Sequence, residues 1–446
     1  MVYNINNMQR LKSFIGTLAA PLLILFCLWV VFLMMGYLNV DLKPIFSIIV
    51  ALSPIWLPIA IFYVAFEEWM WSVEDMFKYN SGRTTLRIKL PQEVFKSPEA
   101  MESVLTQMHN INSRDNLMQT YLDGKHPLVS SLELVSIGGD VRFYVNVPKL
   151  KVQNIIEAQL YAQYPGIEVI EEEVDYTAEV KWDPEKWDMI SFHMNKRKEE
   201  IFPIKTYIDF GLDKNPKEEE KFDPISPMLE YLGTAKPHER VWIQFLLTPH
   251  DKLGFKEGKL VPEKSWTEAA EEEINRLMKR NEEGSGPEET ESRPVLTSGE
   301  RQKIEAIERN TAKYPYSVAI RAIYITETGK FDPDMISPLL RSFAQYDLAD
   351  RNTIGVRWRT DYNYKLFQDF TGQRVIAAKR RELEYYKARY YLKEEKVSKV
   401  DEEKVFSVEE IATMYHIPSS TVMTPGLSRI ESTRREAPSN LPVGEF

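Results

Sequence analysis

Two uncharged runs dominate the hydropathy pattern. Phe14–Leu38 and Pro44–Phe66 contain no Asp, Glu, Lys or Arg, and each is at least as long as the roughly 20 residues a helix needs to cross a bilayer core. The joining stretch Gly36–Lys43 is short, which predicts an antiparallel transmembrane hairpin. Arg10 and Lys12 precede the first run, Lys78, Arg83 and Arg87 follow the second, and the turn holds only Lys43, so both termini are expected in the cytoplasm. A cleaved signal peptide is the competing reading of the first run, but about 25 uncharged residues exceed an ordinary h-region. Neither run carries an interior ionisable residue, which points to an anchor and away from an ion pathway. Glu67–Asn80, with Trp69, Trp71, Phe77 and Tyr79, has the character of a helix leaving the headgroup layer.

Beyond the anchor the period changes. Arg83–Leu90 alternates, with Leu86, Ile88 and Leu90 on one face, and predicts a half-buried strand. Ser97-Pro98 opens a helix in which Met101, Val104, Leu105 and Met108 recur at helical spacing. Ser131–Ile137 and Val141–Val147 flank Gly138-Gly139-Asp140, a hairpin signal. A second helix buries Val152, Ile155, Ile156 and Leu160, and Ile167–Ile170 closes a β-α-β-β-α-β order, the split βαβ or ferredoxin-like plan. The order recurs. Pro203–Phe210, Val241–Leu247, Val318–Tyr324 and Ile354–Trp358 read as strands, Pro227–Leu232 and Pro333–Tyr346 as helices, with an insertion at 251–313. The expected class is α+β: a transmembrane hairpin (1–80), two tandem ferredoxin-like units (81–180 and 181–371), then a helical region and linker tail (372–446).

The insertion offers two capping boxes, Ser265 with Glu268 and Thr297 with Glu300. Between them Glu282–Arg293 is too poor in apolar residues to order itself. This predicts a helical arm, either solvated or partner-docking. Gly372–Lys396 is a basic helix interleaved with tyrosines, in which Lys379, Arg380, Arg381, Lys387 and Arg389 are candidate nucleic-acid contacts; an ordinary packed helix with a charged outer face is the alternative. Ser407 with Glu410 caps a last short helix ending near His416-Ile417-Pro418, and the polar stretch from Thr424 reads as a linker.

Composition removes chemistry. The net charge of -10 argues against a chain-wide nucleic-acid surface, and the single cysteine, Cys27, lies in the first run, so neither a disulfide framework nor a thiolate metal site is expected. His109, His126, His193, His238, His250 and His416 are scattered, with no pair at ligand spacing, and read as ordinary surface or interface residues. No phosphate-binding G-x-x-x-x-G-K-[ST] loop, G-x-S-x-G elbow or H-E-x-x-H helix occurs. A non-enzyme with no cofactor and no metal is the expectation.

The hairpin, followed by TTLRIKLP, SLELVSIGGDVRFYVNVPK, IEAQLYAQYPGIEVIE, VFSVEEIATMYHIPSSTVMTPGL and APSNLP, resembles the region ahead of the motor in conjugation-type, type IV secretion-like ATPases of candidate-phylum bacteria. In those relatives the stretch like Ala437–Pro442 leads into a HerA-like P-loop ATPase, so no catalytic residue carries over. The resemblance implies a two-pass protein of the bacterial inner membrane that docks a separate P-loop ATPase subunit at the cytoplasmic face. Self-association is compatible with it. Direct DNA handling by the basic helix, or an inactive remnant of a truncated ATPase, are the alternatives.

Overall fold

The computed structural model describes residues 43–430 apart from 93, 95, 113–115, 150–151, 215–221, 251–264, 279–295, 362–368, 370–371, 390–402, 421, 423 and 425. The expected first span, the arm's tip and the chain after Ile430 lie outside the described residues. The second uncharged run and the aromatic segment after it form one helix, α1 (Lys43–Ser81, 39 residues), about 58 Å long at 1.5 Å per residue. Pro54 deprives the Val50 carbonyl of its usual amide donor, and Ser53 Oγ donates to that carbonyl at 2.7 Å. Gly82, at φ +58°, ends the helix in the left-handed conformation that glycine adopts without strain.

The chain then builds one antiparallel sheet. In the first half, β1 (Arg83–Lys89), α2 (Glu99–Asn112), the short α3 (Leu117–Tyr121), β2 (Ser130–Ile137), β3 (Asp140–Pro148), α4 (Val152–Gln163) and β4 (Glu168–Glu171) follow one another. In the second come β5 (Trp187–Lys196), α5 (Ser226–Gly233), β6 (Glu239–Pro249), the insertion helices α6 (Trp266–Leu277) and α7 (Ser298–Thr311), β7 (Pro315–Glu327), α8 (Ile336–Arg341) and β8 (Ile354–Arg359). α9 (Gln373–Ala388), β9 (Lys404–Ser407) and α10 (Val408–Met414) complete the described chain. The strand order is β4-β1-β3-β2-β6-β7-β5-β8, with β9 beside β7. It reads the same outward from the β2–β6 seam, where Glu133 lies opposite Gln244 and Leu134 opposite Ile243.

One face of the sheet carries the larger core. Leu132, Leu134, Phe143 and Val145 of the first half and Ile243, Phe245, Ile320 and Ala322 of the second pack with α2, α4, α5, α8 and α10. The opposite face is covered too. Val135, Tyr144, Trp187, Met189, Trp242, Ile323 and Ile325 lie beneath Tyr176, Val180, Leu383 and Tyr386. A sheet covered on both faces gives strands buried along their whole length, and the apolar/polar alternation blurs.

Pro203–Phe210 is not a strand; the first strand of the second half is β5, which begins sixteen residues earlier in the chain. Its Ile190, Phe192 and Met194 alternate with the polar Ser191, His193 and Asn195, so the period-2 pattern is present in the sequence, and both sets are buried because the sheet is covered on both faces. The 203–210 segment alternates, but other groups take its amides. Ile204 N donates to Glu410 Oε1 at 2.9 Å, Tyr207 N to Thr413 Oγ1 at 2.9 Å and Lys205 N to Tyr346 O at 2.9 Å. Pro333–Tyr346 is also broken: α8 is flanked by 3-10 turns at Pro333–Met335 and Ala344–Tyr346. The insertion helices pack through Trp266, Ala270 and Ile307 on Ile201 and Val405, so the arm's base is fixed to the body.

Candidate functional site

Of the five cations expected to meet nucleic acid, α9 and its C-terminus turn Lys379, Lys387 and Arg389 onto the protein itself. Lys379 Nζ lies 2.6 Å from Asp188 Oδ1, and Lys387 Nζ donates to the Val180 carbonyl. Arg380 pairs along the helix with Glu384 at 2.9 Å and is exposed, and Arg381 is half-buried. Arg389 closes the helix with φ +51°, the one left-handed non-glycine among the described residues. That turn drives its guanidinium down onto the seam. The described part of the helix ends there, short of Lys396.

At the seam Arg389 meets Glu133 of β2, which is fully buried. Nε donates to Oε1 at 2.9 Å and Nη2 to Oε2 at 3.0 Å, while Nη1 reaches Asp175 Oδ2 at 2.7 Å. Glu133 also accepts from Ser131 Oγ at 2.6 Å, Tyr176 OH at 2.7 Å and Gln244 Nε2 at 2.9 Å. Tyr176 OH and Tyr386 OH are 3.0 Å apart. Burial pushes the Glu133 carboxyl up, but the Arg389 charge and the surrounding donors outweigh it and hold it below the usual carboxylate range. Asp175 is lowered in the same way, against its own burial and by the same guanidinium. A saturated carboxylate facing a bidentate guanidinium leaves neither group free to act as acid or base.

The other face holds a second buried pair under α10, the last helix among the described residues. Every residue of α10 is buried, so its glutamates must find partners inside. Lys196 Nζ lies 2.8 Å from Glu410 Oε1 and donates to the carbonyls of Glu200 at 3.0 Å and Val405 at 2.9 Å. Burial drives the Lys196 amine below its ordinary value despite this neighbour. Glu410 also accepts the Ser407 amide at 2.9 Å, forming the capping box that the spacing predicts. Glu409 accepts from Thr206 Oγ1 at 2.6 Å and lies 3.2 Å from Arg309 Nε. Of the six histidines, His109, His193 and His416 are interior. His193 Nε2 is 2.5 Å from Glu382, and His416 Nε2 is 2.8 Å from Asp223.

Past α10 the chain is pinned where a linker was expected. The Gly426 carbonyl accepts from Val141 N at 2.9 Å, and Ile430 N donates to Leu90 O at 2.9 Å. Arg429 Nη2 donates to the Ser419 carbonyl at 2.7 Å, and Nη1 to the Pro91 carbonyl at 3.1 Å. Gly426 has φ +83°, and a Cβ there would fall 1.8 Å from the Gly139 carbonyl oxygen. Sequence reasoning missed this seat. Its only signals are Gly426 and Arg429, ordinary in a polar stretch.

Leu90 is at the far end of β1 from α1. The eight steps from Gly82 to Leu90 span about 26 Å at roughly 3.3 Å each, so the apolar helix enters at one end of the sheet and the last described residue, Ile430, lies at the other. The insertion is rooted at the α1 end, where Pro249 pairs with Tyr316, Leu247 with Ser130, and Arg83 Nη1 donates to Val129 O at 2.7 Å. Among the described residues no cluster of three or more His, Cys, Asp or Glu is arranged to hold a metal ion, and one helix is long and apolar enough to cross a membrane.

No curated protein and no solved structure matches the chain. Residues 72–429, from the last turns of α1 to the arginine that binds the Pro91 and Ser419 carbonyls, match the family described as a domain of unknown function, DUF8128, and the chain belongs to that family.

Proposed function

We propose that the protein is a membrane-anchored, non-catalytic assembly module of a type IV secretion-like translocation machine, holding a separate P-loop ATPase at the cytoplasmic face of a bacterial inner membrane. The observation that carries this reading is the opposition of two described points: α1 enters beside Arg83, and Ile430, the last described residue, is hydrogen-bonded to Leu90 at 2.9 Å. A body that sets its apolar helix and Ile430 about 26 Å apart is suited to hold a motor off the bilayer. The buried charges support a scaffold, since Glu133, Arg389, Lys196 and Glu410 are all spent on internal pairs. The same reading takes Phe14–Leu38 as a first span with both termini cytoplasmic. It also takes the halves as two ferredoxin-like units, supported by their shared strand order about the seam. Direct DNA handling has less support, because Lys379, Lys387 and Arg389 are turned to partners within the chain.

Affinity purification of the detergent-solubilised full chain, with mass spectrometry of what it retains, tests the reading. A P-loop ATPase is expected with the full chain and a strong loss of it from a chain ending at Ile430. Recovery of no P-loop ATPase, ATP hydrolysis by the purified chain alone, or a reporter showing Phe446 outside the cytoplasm would overturn it.

A further inference from the structure

The segment between α2 and β2 is bracketed onto α1. Asn116 caps α3, its side chain accepting from Gln119 N at 2.9 Å, and Lys125 N donates to Gln119 O at 2.9 Å. Gly124 is pressed so closely on α1 that a Cβ would lie 2.3 Å from the Val73 carbonyl. Trp69 Nε1 donates to Tyr121 O at 3.2 Å, the Phe66 and Tyr121 rings are 5.9 Å apart, and the Phe77 and His126 rings are 5.7 Å apart. With its inner side so fixed, the bracket holds three large apolar side chains outward: Leu117 is 44% exposed, Met118 69% and Leu122 60%.

Its position along α1 decides what these side chains meet. Phe66 is the last residue of the 23-residue uncharged run, and Glu67 and Glu68 follow it. Twenty-three helical residues span about 34 Å, against a hydrocarbon core of about 30 Å. The bracket touches α1 at the mouth of that run.

Resting on the reading of α1 as a membrane span, we propose that Leu117, Met118 and Leu122 form a second, shallow membrane contact, inserting into the headgroup–acyl boundary beside α1. Interfacial segments bury apolar side chains about 5–10 Å into that boundary. Two contacts at one level, with Gly124 wedged between them and the sheet, fix the tilt of the body against the bilayer, which a single helix followed by a hinge would not.

The test uses the full chain with Cys27→Ser, carrying an environment-sensitive thiol label at Met118→Cys, Ile59→Cys or Met76→Cys. Each variant is placed in vesicles of phosphatidylcholine and phosphatidylglycerol containing a lipid with a nitroxide near its headgroup. Ile59 lies inside the uncharged run, and Met76 is exposed about 15 Å beyond Phe66. Quenching at Met118 at least about twice that at Met76, with a blue-shifted emission and with Ile59 in lipid, supports the contact. Lipid exposure at Ile59 with a Met118 label that behaves like Met76 overturns it and leaves the anchor standing. A Met118 label that is blue-shifted yet unquenched is covered by protein, such as residues 14–38, and overturns it as well. If Ile59 is also unquenched and in water, the anchor reading falls together with the contact.

Discussion

The two halves of the sheet share a strand order and differ in what has been added to them. The first half is plain: a tight Gly138-Gly139 turn joins β2 to β3, and β1 pairs directly with β3 and β4. The second half carries the α6/α7 insertion in the corresponding hairpin, a polar first strand, and then α9, β9 and α10. These additions reach back across the seam. Arg389 pins Glu133 on one face, while on the other Tyr415 OH donates to Tyr144 O at 3.1 Å, and Gly426 and Ile430 hydrogen-bond Val141 and Leu90. Two similar units joined through edge strands have only a ladder of backbone bonds between them. The later elements add buried charge and apolar packing that make the pair one body.

The comparison breaks most sharply at Arg389. Arg389→Met leaves the buried Glu133 and the half-buried Asp175 without their cation and should lower stability by about 3–5 kcal/mol, read by thermal unfolding in detergent. The pH dependence carries the sign. Glu133 and Asp175 are held below their ordinary values in the folded state, so their contribution is full above the unfolded carboxylate range and is lost as pH falls through the folded values. Wild type should therefore lose stability in acid. The variant's deficit should shrink as pH falls, because its stranded carboxylates can be protonated; a deficit constant with pH would remove Glu133 as the cause.

Next comes Lys196→Met on the opposite face, expected to cost about 2–3 kcal/mol. The smaller figure follows because Glu410 keeps the Ile204 and Ser407 amides, and because burial already disfavours the lysine charge. A loss exceeding that of Arg389→Met would mean the α10 face, not the Arg389 face, is the main lock on the seam. Gly426→Ala should cost about 1–3 kcal/mol through its positive φ and the clash with Gly139. Limited proteolysis should then cut near residues 427–430 sooner, with the rest of the body still resistant. The smallest effect is expected at Arg380→Ala, which removes an exposed pair with Glu384 worth about 0.3–0.5 kcal/mol; a change of several kcal/mol would show α9 packing through its outer face.

The legibility of the molecule follows the range of its interactions. Helix α1, the Gly138-Gly139 turn and the capping boxes at Thr297 and Ser407 rest on neighbours a few residues away, and local pattern suffices to predict them. The alternation of β5 over Ile190–Asn195 is as legible as that of Pro203–Phe210, and local pattern does not choose between them; the choice rests on distant partners, Glu382 on His193 and Glu410 on the Ile204 amide. The cations of α9 looked available for the same reason: Glu133 is 256 residues from Arg389 in the chain, and no window shows that a carboxylate waits there.

Sequence alone therefore determined the long apolar helix, the alternating strands of the first half, the helix caps and the absence of P-loop or thiolate motifs, because each depends on composition or on spacing within an element. Only the tertiary structure decided that the two halves share one sheet, that Lys379, Lys387 and Arg389 of the basic segment turn inward, and that Ile430 is seated at Leu90. Those outcomes depend on which distant groups are brought together when water is excluded. A buried charge then takes whatever partner the topology supplies, however far away in the chain.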